Sequence, residues 1–199
     1  MKKAACILAF GLFSATAMAQ NAPPPGYGPS GPGYGPNYGD DSLFDGSYHH
    51  RQQNLSVMLW IPWYYGFGAG VDFRYNIPVV SDGFIPNFND EFDIEPSLGI
   101  AYTSYGFDGL DNYNFVNIAP AAYAIYALHL NRVIRVYAGL GLGVNIGVYT
   151  GNGTVNSAVG ATYFYWDPVA GVNFQFTHFF GLRAEVGAQG LKGGLQFYF

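Results

Sequence analysis

Six charged side chains stand out as groups that could act together: Asp72, Arg74, Glu95, Arg135, Arg183 and Glu185. Three carboxylates and three guanidiniums balance, and an arginine fork matches a carboxylate in two parallel hydrogen bonds. Charges taken away from water are tolerated only when paired. The chemistry expected of this set is therefore ion pairing in an interior. Catalysis needs a base such as histidine within reach of a serine or carboxylate. Of the four histidines, His49 and His50 lie in a Pro/Gly-rich stretch, His178 lies in a short turn, and His129 faces inward near one strand end. None meets a serine or aspartate at an outer rim, so no catalytic residue and no enzymatic activity are expected. Adjacent His49 and His50 project differently and lack partners at ligand spacing, so no metal site is expected either. The Gly-x-Gly runs at 66–70 and 139–143 have no following helix to make a phosphate loop. No cofactor is predicted.

The elements that must position these charges repeat every second residue, which puts alternate side chains on opposite faces of a strand. Eight such stretches occur. They are Leu55 to Ile61, Tyr65 to Tyr75, Ile94 to Thr103, Val116 to His129, Ile134 to Val148, Phe164 to Phe176, Leu182 to Gln189, and the terminal Lys192 to Phe199. In the fifth, Ile134, Val136, Ala138, Leu140, Leu142, Val144, Ile146 and Val148 alternate with Arg135, Tyr137, Gly139, Gly141, Gly143, Asn145 and Gly147. Across the set, Asp72, Arg74, Asp93, Glu95, Arg135, Asp167, Arg183, Glu185 and Lys192 all fall on the glycine-and-polar parity. A soluble sandwich would turn a much more charged face to water. Small residues on the charged side suit the cramped interior of a narrow tube. The fold class expected is an all-β, eight-stranded, antiparallel up-and-down barrel with its apolar face outward.

Composition agrees. Only 11% of the 199 residues are charged, against about 25% in ordinary soluble domains, while aromatics reach 19% and glycines number 28. A membrane barrel shows this profile because its alternating strands never look apolar on average. The net charge is −5 and basic residues do not cluster, which excludes nucleic acid as a partner.

Short connections are expected at 129–133 and 177–180, and longer ones rich in Gly, Asn and Asp at 105–114 and 150–160, the first carrying Asp108 and Asp111, which could contact cations or lipopolysaccharide. Short links belong to the periplasmic side of such a barrel and long ones to the outside. The stretch 76–91 is out of pattern, reading as a long periplasmic turn. Pro96, Pro120 and Pro168 lack a ladder N–H, so local bulges are expected there. Aromatics gather in two girdles, with Trp63, Tyr64, Tyr65, Tyr102, Tyr105, Tyr149, Tyr163 and Trp166 at one end. Tyr75, Tyr126, Phe174, Phe176, Phe197 and Phe199 mark the other.

Residues 1–19 read as a signal peptide: Lys2 and Lys3, an apolar core, then Ala17-Met18-Ala19. Cys6 lies inside it, so the mature chain has no thiol for catalysis or metal binding. Residues 20–53 repeat Gly26-Tyr27-Gly28-Pro29 as Gly33-Tyr34-Gly35-Pro36 and are expected to form a disordered Gly/Pro/Tyr-rich periplasmic tail. Residues 54–199 form the barrel.

The terminal strand carries Lys192, Gly194, Phe197 and Phe199. With the signal peptide and the eight alternating strands, it resembles the end of the small eight-stranded bacterial outer-membrane barrels, the group of the OmpA transmembrane domain, OmpX and OmpW. The resemblance implies that these four residues are an assembly signal read by the barrel-assembly machinery. It also implies outer-membrane lipid and lipopolysaccharide as surroundings, and a monomer. The first functional expectation is an integral outer-membrane barrel with a small plugged lumen, contributing to envelope structure or surface interaction. The second is a narrow channel or hydrophobic-ligand conduit of the OmpW kind. The third, a lipid-modifying enzyme, has no motif here.

Overall fold

The computed structural model describes residues 43–44, 51–63, 67–105, 113–150 and 162–199. The leader at 1–19, nearly all of the tail with His49 and His50, Tyr64 and Tyr65, the loop aspartates Asp108 and Asp111, and the connection 151–161 lie outside them.

Eight strands form one closed antiparallel barrel in chain order. They are β1 (Asn54–Ile61), β2 (Phe67–Val80), β3 (Asp90–Tyr105), β4 (Tyr113–His129), β5 (Ile134–Tyr149), β6 (Thr162–Gln175), β7 (Phe180–Gly187) and β8 (Gly190–Tyr198). The ring closes where β8 pairs with β1, Tyr198 opposite Asn54 and Leu191 opposite Ile61. Closure removes the free edges that an open sheet would expose.

Inside and outside follow the alternation. Inward positions hold Arg74, Asp72, Glu95, Tyr123 and Arg183, all buried. Outward positions hold the exposed large apolar residues, among them Leu59, Leu142, Phe164 and Trp166, with Phe164 85% exposed. The inward glycines make room for tyrosines. Tyr123 lies across from Gly141, Tyr137 from Gly171, and Tyr165 from Gly143. A Cβ at those glycines would fall 2.3, 2.3 and 2.6 Å from the facing rings.

Three expectations need correction. The long turn at 76–91 is shorter, because β2 continues to Val80 and β3 starts at Asp90, leaving residues 81–89. A register shift between Pro78 and Val80 hides the end of β2 from a period-2 reading. Ala188 and Gln189, expected to close the seventh strand, form the turn to β8. Gly190 follows at φ 145, and a Cβ there would meet the Ile61 carbonyl oxygen at 2.3 Å.

Finally, Pro96, Pro120 and Pro168 produce no register shift. The β2–β3 ladder skips from Arg74–Ser97 to Ile77–Ile94 around Pro96, and the β4–β5 ladder from Ile118–Ile146 to Ala121–Gly143 around Pro120, each resuming in register. Pro168 sits just above the last β6–β7 pair, Val169–Gly187. Each proline forgoes its hydrogen bond toward one neighbour only, and pairing with the other neighbour holds the strand in place.

Candidate functional site: a lumen of ion pairs

The six charges singled out by type and parity lie together inside the barrel. Arg74 on β2 donates two hydrogen bonds to Glu185 on β7, both 2.7 Å. Arg183 on β7 donates two to Glu95 on β3, 2.9 and 2.8 Å. These two forks are cross-linked by Arg183 to Glu185 at 3.1 Å and Arg74 to Glu95 at 3.5 Å. Strands β3 and β7 are four apart in a ring of eight, so the Arg183–Glu95 pair spans the lumen from wall to opposite wall. Five residues of β3 lie on the turn side of Glu95, so this layer sits well inside the wall.

Tyrosines complete the layer. The Tyr137 hydroxyl accepts from Arg183 Nε at 2.8 Å and donates to Glu185 at 2.9 Å. The Arg74 guanidinium lies 3.6 Å from the centre of the Tyr123 ring, a cation–π contact between two buried groups. Asp72 is held by Arg74 at 3.3 Å, by the Ser97 hydroxyl at 2.6 Å and by Lys192 Nζ at 2.6 Å. Asp167 accepts the Tyr123 hydroxyl at 2.9 Å and the Gln189 N–H at 3.1 Å.

A second tier lies nearer the β2–β3 turn. Arg135 on β5 pairs with both Glu91 and Asp93 on β3. Asn76 donates to Asp93 at 2.6 Å and to Glu95 at 3.2 Å, joining the two tiers. Arg51, just ahead of β1, reaches Glu91 at 3.2 Å, and His129 Nε2 lies 3.2 Å from the same carboxylate. His129 thus borders the charge lattice, while His178 packs its ring against Phe179 in the β6–β7 turn.

The sequence left Glu91 in a turn, and it put Lys192 on the inward parity but gave it a role only in the terminal motif. It noted Asp93 and Asp167 as inward without adding them to the network. The signal for all four was parity together with height along the strand, and height requires the pairing register. Of the terminal residues, Lys192 points into the lumen and Gly194 packs its Cα side against the Val57 carbonyl. Phe197 meets Phe180 on the outside at 6.1 Å, and Phe199 stacks on Tyr75 at 6.0 Å.

Toward the other end the lumen is less charged. Trp60, Ala101 and Ala119 pack with Tyr165, and the Trp60 Nε1–H is satisfied by the Gln189 carbonyl at 3.1 Å. Above them Asn117 donates to Thr103 at 2.8 Å, and Asn145 donates to the Tyr163 hydroxyl.

An ionic interior inside a closed wall with an apolar exterior reverses the polarity of a water-soluble domain. Fold and site together define the class: a small transmembrane up-and-down β-barrel. No family model and no curated protein matches the sequence. Among solved structures the chain is similar to Ail of Yersinia pestis in a phospholipid bilayer nanodisc, at 15% identity and a TM-score of 0.46, over 75% of this chain and 100% of that one. It is also similar to crystal structures of Ail, alone and in complex with the heparin analogue sucrose octasulfate, each at 14% identity and a TM-score of 0.44, over 74% of this chain and 95% of theirs.

Proposed function

We propose that the chain spans a bacterial outer membrane as an integral barrel whose lumen is closed by the ion-pair lattice, and that it contributes to envelope structure or surface interaction. One observation carries this reading: the Arg183–Glu95 fork bridges opposite walls and is locked sideways by Arg74, Glu185 and Tyr137. A hydrated ion moving along the axis must break several charge-assisted hydrogen bonds at once. The reading includes no catalytic step. Its partners are membrane lipid and lipopolysaccharide around the wall, and the assembly machinery through β8, with the short links and the tail on the periplasmic side and the barrel acting as a monomer.

Planar-bilayer recording tests the closed lumen. Wild-type protein is expected to show no steady conductance, and Glu95→Ala with Arg183→Ala in one chain is expected to open one. Large, steady wild-type currents would overturn the plug and favour the narrow channel. In that case neutralising Arg135 and Arg183 raises the current further if the lattice is a gate.

A further inference from the structure

The turn between β2 and β3, residues 81–89, folds back over the outside of the wall. Asp90, which opens β3, has the outward parity of Phe92 and Ile94, opposite to Glu91 and Asp93. An outward carboxylate at this height would face the membrane boundary unscreened. Instead Asp90 is fully buried. One of its oxygens accepts the N–H of Phe84 at 2.9 Å, the N–H of Ile85 at 3.4 Å and the hydroxyl of Tyr126 at 2.6 Å. Tyr126 is itself outward on β4, in register with Phe92. The turn is thus stapled to the outer wall through one buried carboxylate. Gly83, at φ 60, makes the reversal, and a Cβ there would lie 2.0 Å from the Asp90 carboxyl carbon.

This fold-back places apolar side chains. The Phe84 ring stacks on Tyr126 with centroids 6.5 Å apart and lies 5.9 Å from Phe92, yet Phe84 remains 64% exposed and Ile85 44%. Val79, at the register shift ending β2, is exposed beside them. Through Phe92 and Tyr126, both outward on the wall, Phe84 joins the apolar exterior.

We propose that the β2–β3 turn is a membrane anchor, seating Phe84 and Ile85 in the headgroup–acyl boundary of the phospholipid leaflet on that side. The inference rests on the membrane-spanning reading above. Continuity with the lipid-facing wall selects lipid as the occupant, and aromatic rings favour this boundary zone. It also gives the long turn a purpose: it covers an outward carboxylate and replaces it with greasy contact.

The test uses the mature chain folded in phospholipid vesicles, with a nitroxide on a cysteine replacing Ile85. The only natural cysteine, Cys6, lies in the expected leader. Collision with oxygen, which concentrates in lipid, is compared with collision with a water-soluble nickel chelate. Reference labels replace Leu142 in mid-wall and Arg132 in the β4–β5 turn. The Ile85 label is expected to show an oxygen-to-nickel ratio several-fold above that at Arg132 and approaching that at Leu142. A ratio equal to that at Arg132, with Leu142 still lipid-protected, overturns the anchor and leaves the barrel reading intact. Shielding from both reagents means that a protein surface covers the turn, and also overturns it. A nickel-accessible Leu142 brings down the membrane reading, and the anchor with it.

Discussion

The two halves of the lumen are built from the same alternation and reach opposite chemistry. Nearer the β2–β3 turn, Arg74, Arg135 and Arg183 are matched by Glu91, Asp93, Glu95 and Glu185 in interlocked forks. Toward the other end, Trp60, Ala101, Ala119 and Tyr165 fill the tube by packing. A packed aromatic half gains most of its stability from burial. A buried charge lattice gains little net stability, since desolvation consumes most of the Coulomb attraction, but it is intolerant of losing one member. The two halves divide the labour, with packing for stability in one and a specific ion-pair geometry in the other.

That contrast can be broken most severely in the charged half. Arg183→Met leaves the buried Glu95 without its fork partner, and is expected to cost about 3–5 kcal/mol. Urea unfolding in vesicles, followed by the heat-dependent gel mobility of the folded barrel, measures it. Arg183→Met combined with Glu95→Met is expected to cost less than Arg183→Met alone, because the orphaned charge is gone. Equal or greater loss in the double variant would mean that the pair is not the unit described. Next in size is Gly171→Val. Its side chain meets the Tyr137 ring, and displacing that ring disturbs both Arg183 and Glu185. The expected cost is about 1–3 kcal/mol, as for other overpacked interiors, read by the same unfolding assay. In the packed half, Trp60→Phe keeps most of the ring and loses one hydrogen bond to the Gln189 carbonyl. Its expected cost is about 1 kcal/mol. A Trp60→Phe loss exceeding that of Arg183→Met would reverse the comparison.

The barrel itself was legible because alternation is a local property, and a run such as 134–148 carries it without interruption. Strand ends were less so. At β2 the shift between Pro78 and Val80 breaks the period, and at the start of β3 the acids Asp90 and Glu91 look like turn composition. They are strand residues, with Glu91 and Asp93 stabilised by Arg135 from two strands away. The six central charges were found by parity. Their pairing was not, because which arginine meets which carboxylate depends on stagger between strands as distant as β3 and β7. Tyr123 and Tyr137 escaped notice as lattice members because tyrosine is equally at home outside. The glycines opposite them, Gly141 and Gly171, were the available sign that a ring had to fit there.

Two native tryptophans test whether the wall separates hydrocarbon outside from an ionic, lipid-free interior, for they stand on its two sides. Trp166 is outward and 67% exposed, while Trp60 is inward and 6% exposed. Fluorescence of chains retaining only one of them, in vesicles whose acyl chains carry bromine, reads this separation directly. Strong quenching of Trp166 with Trp60 left bright is the expected result. Equal quenching of the two, or stronger quenching of Trp60, would contradict it.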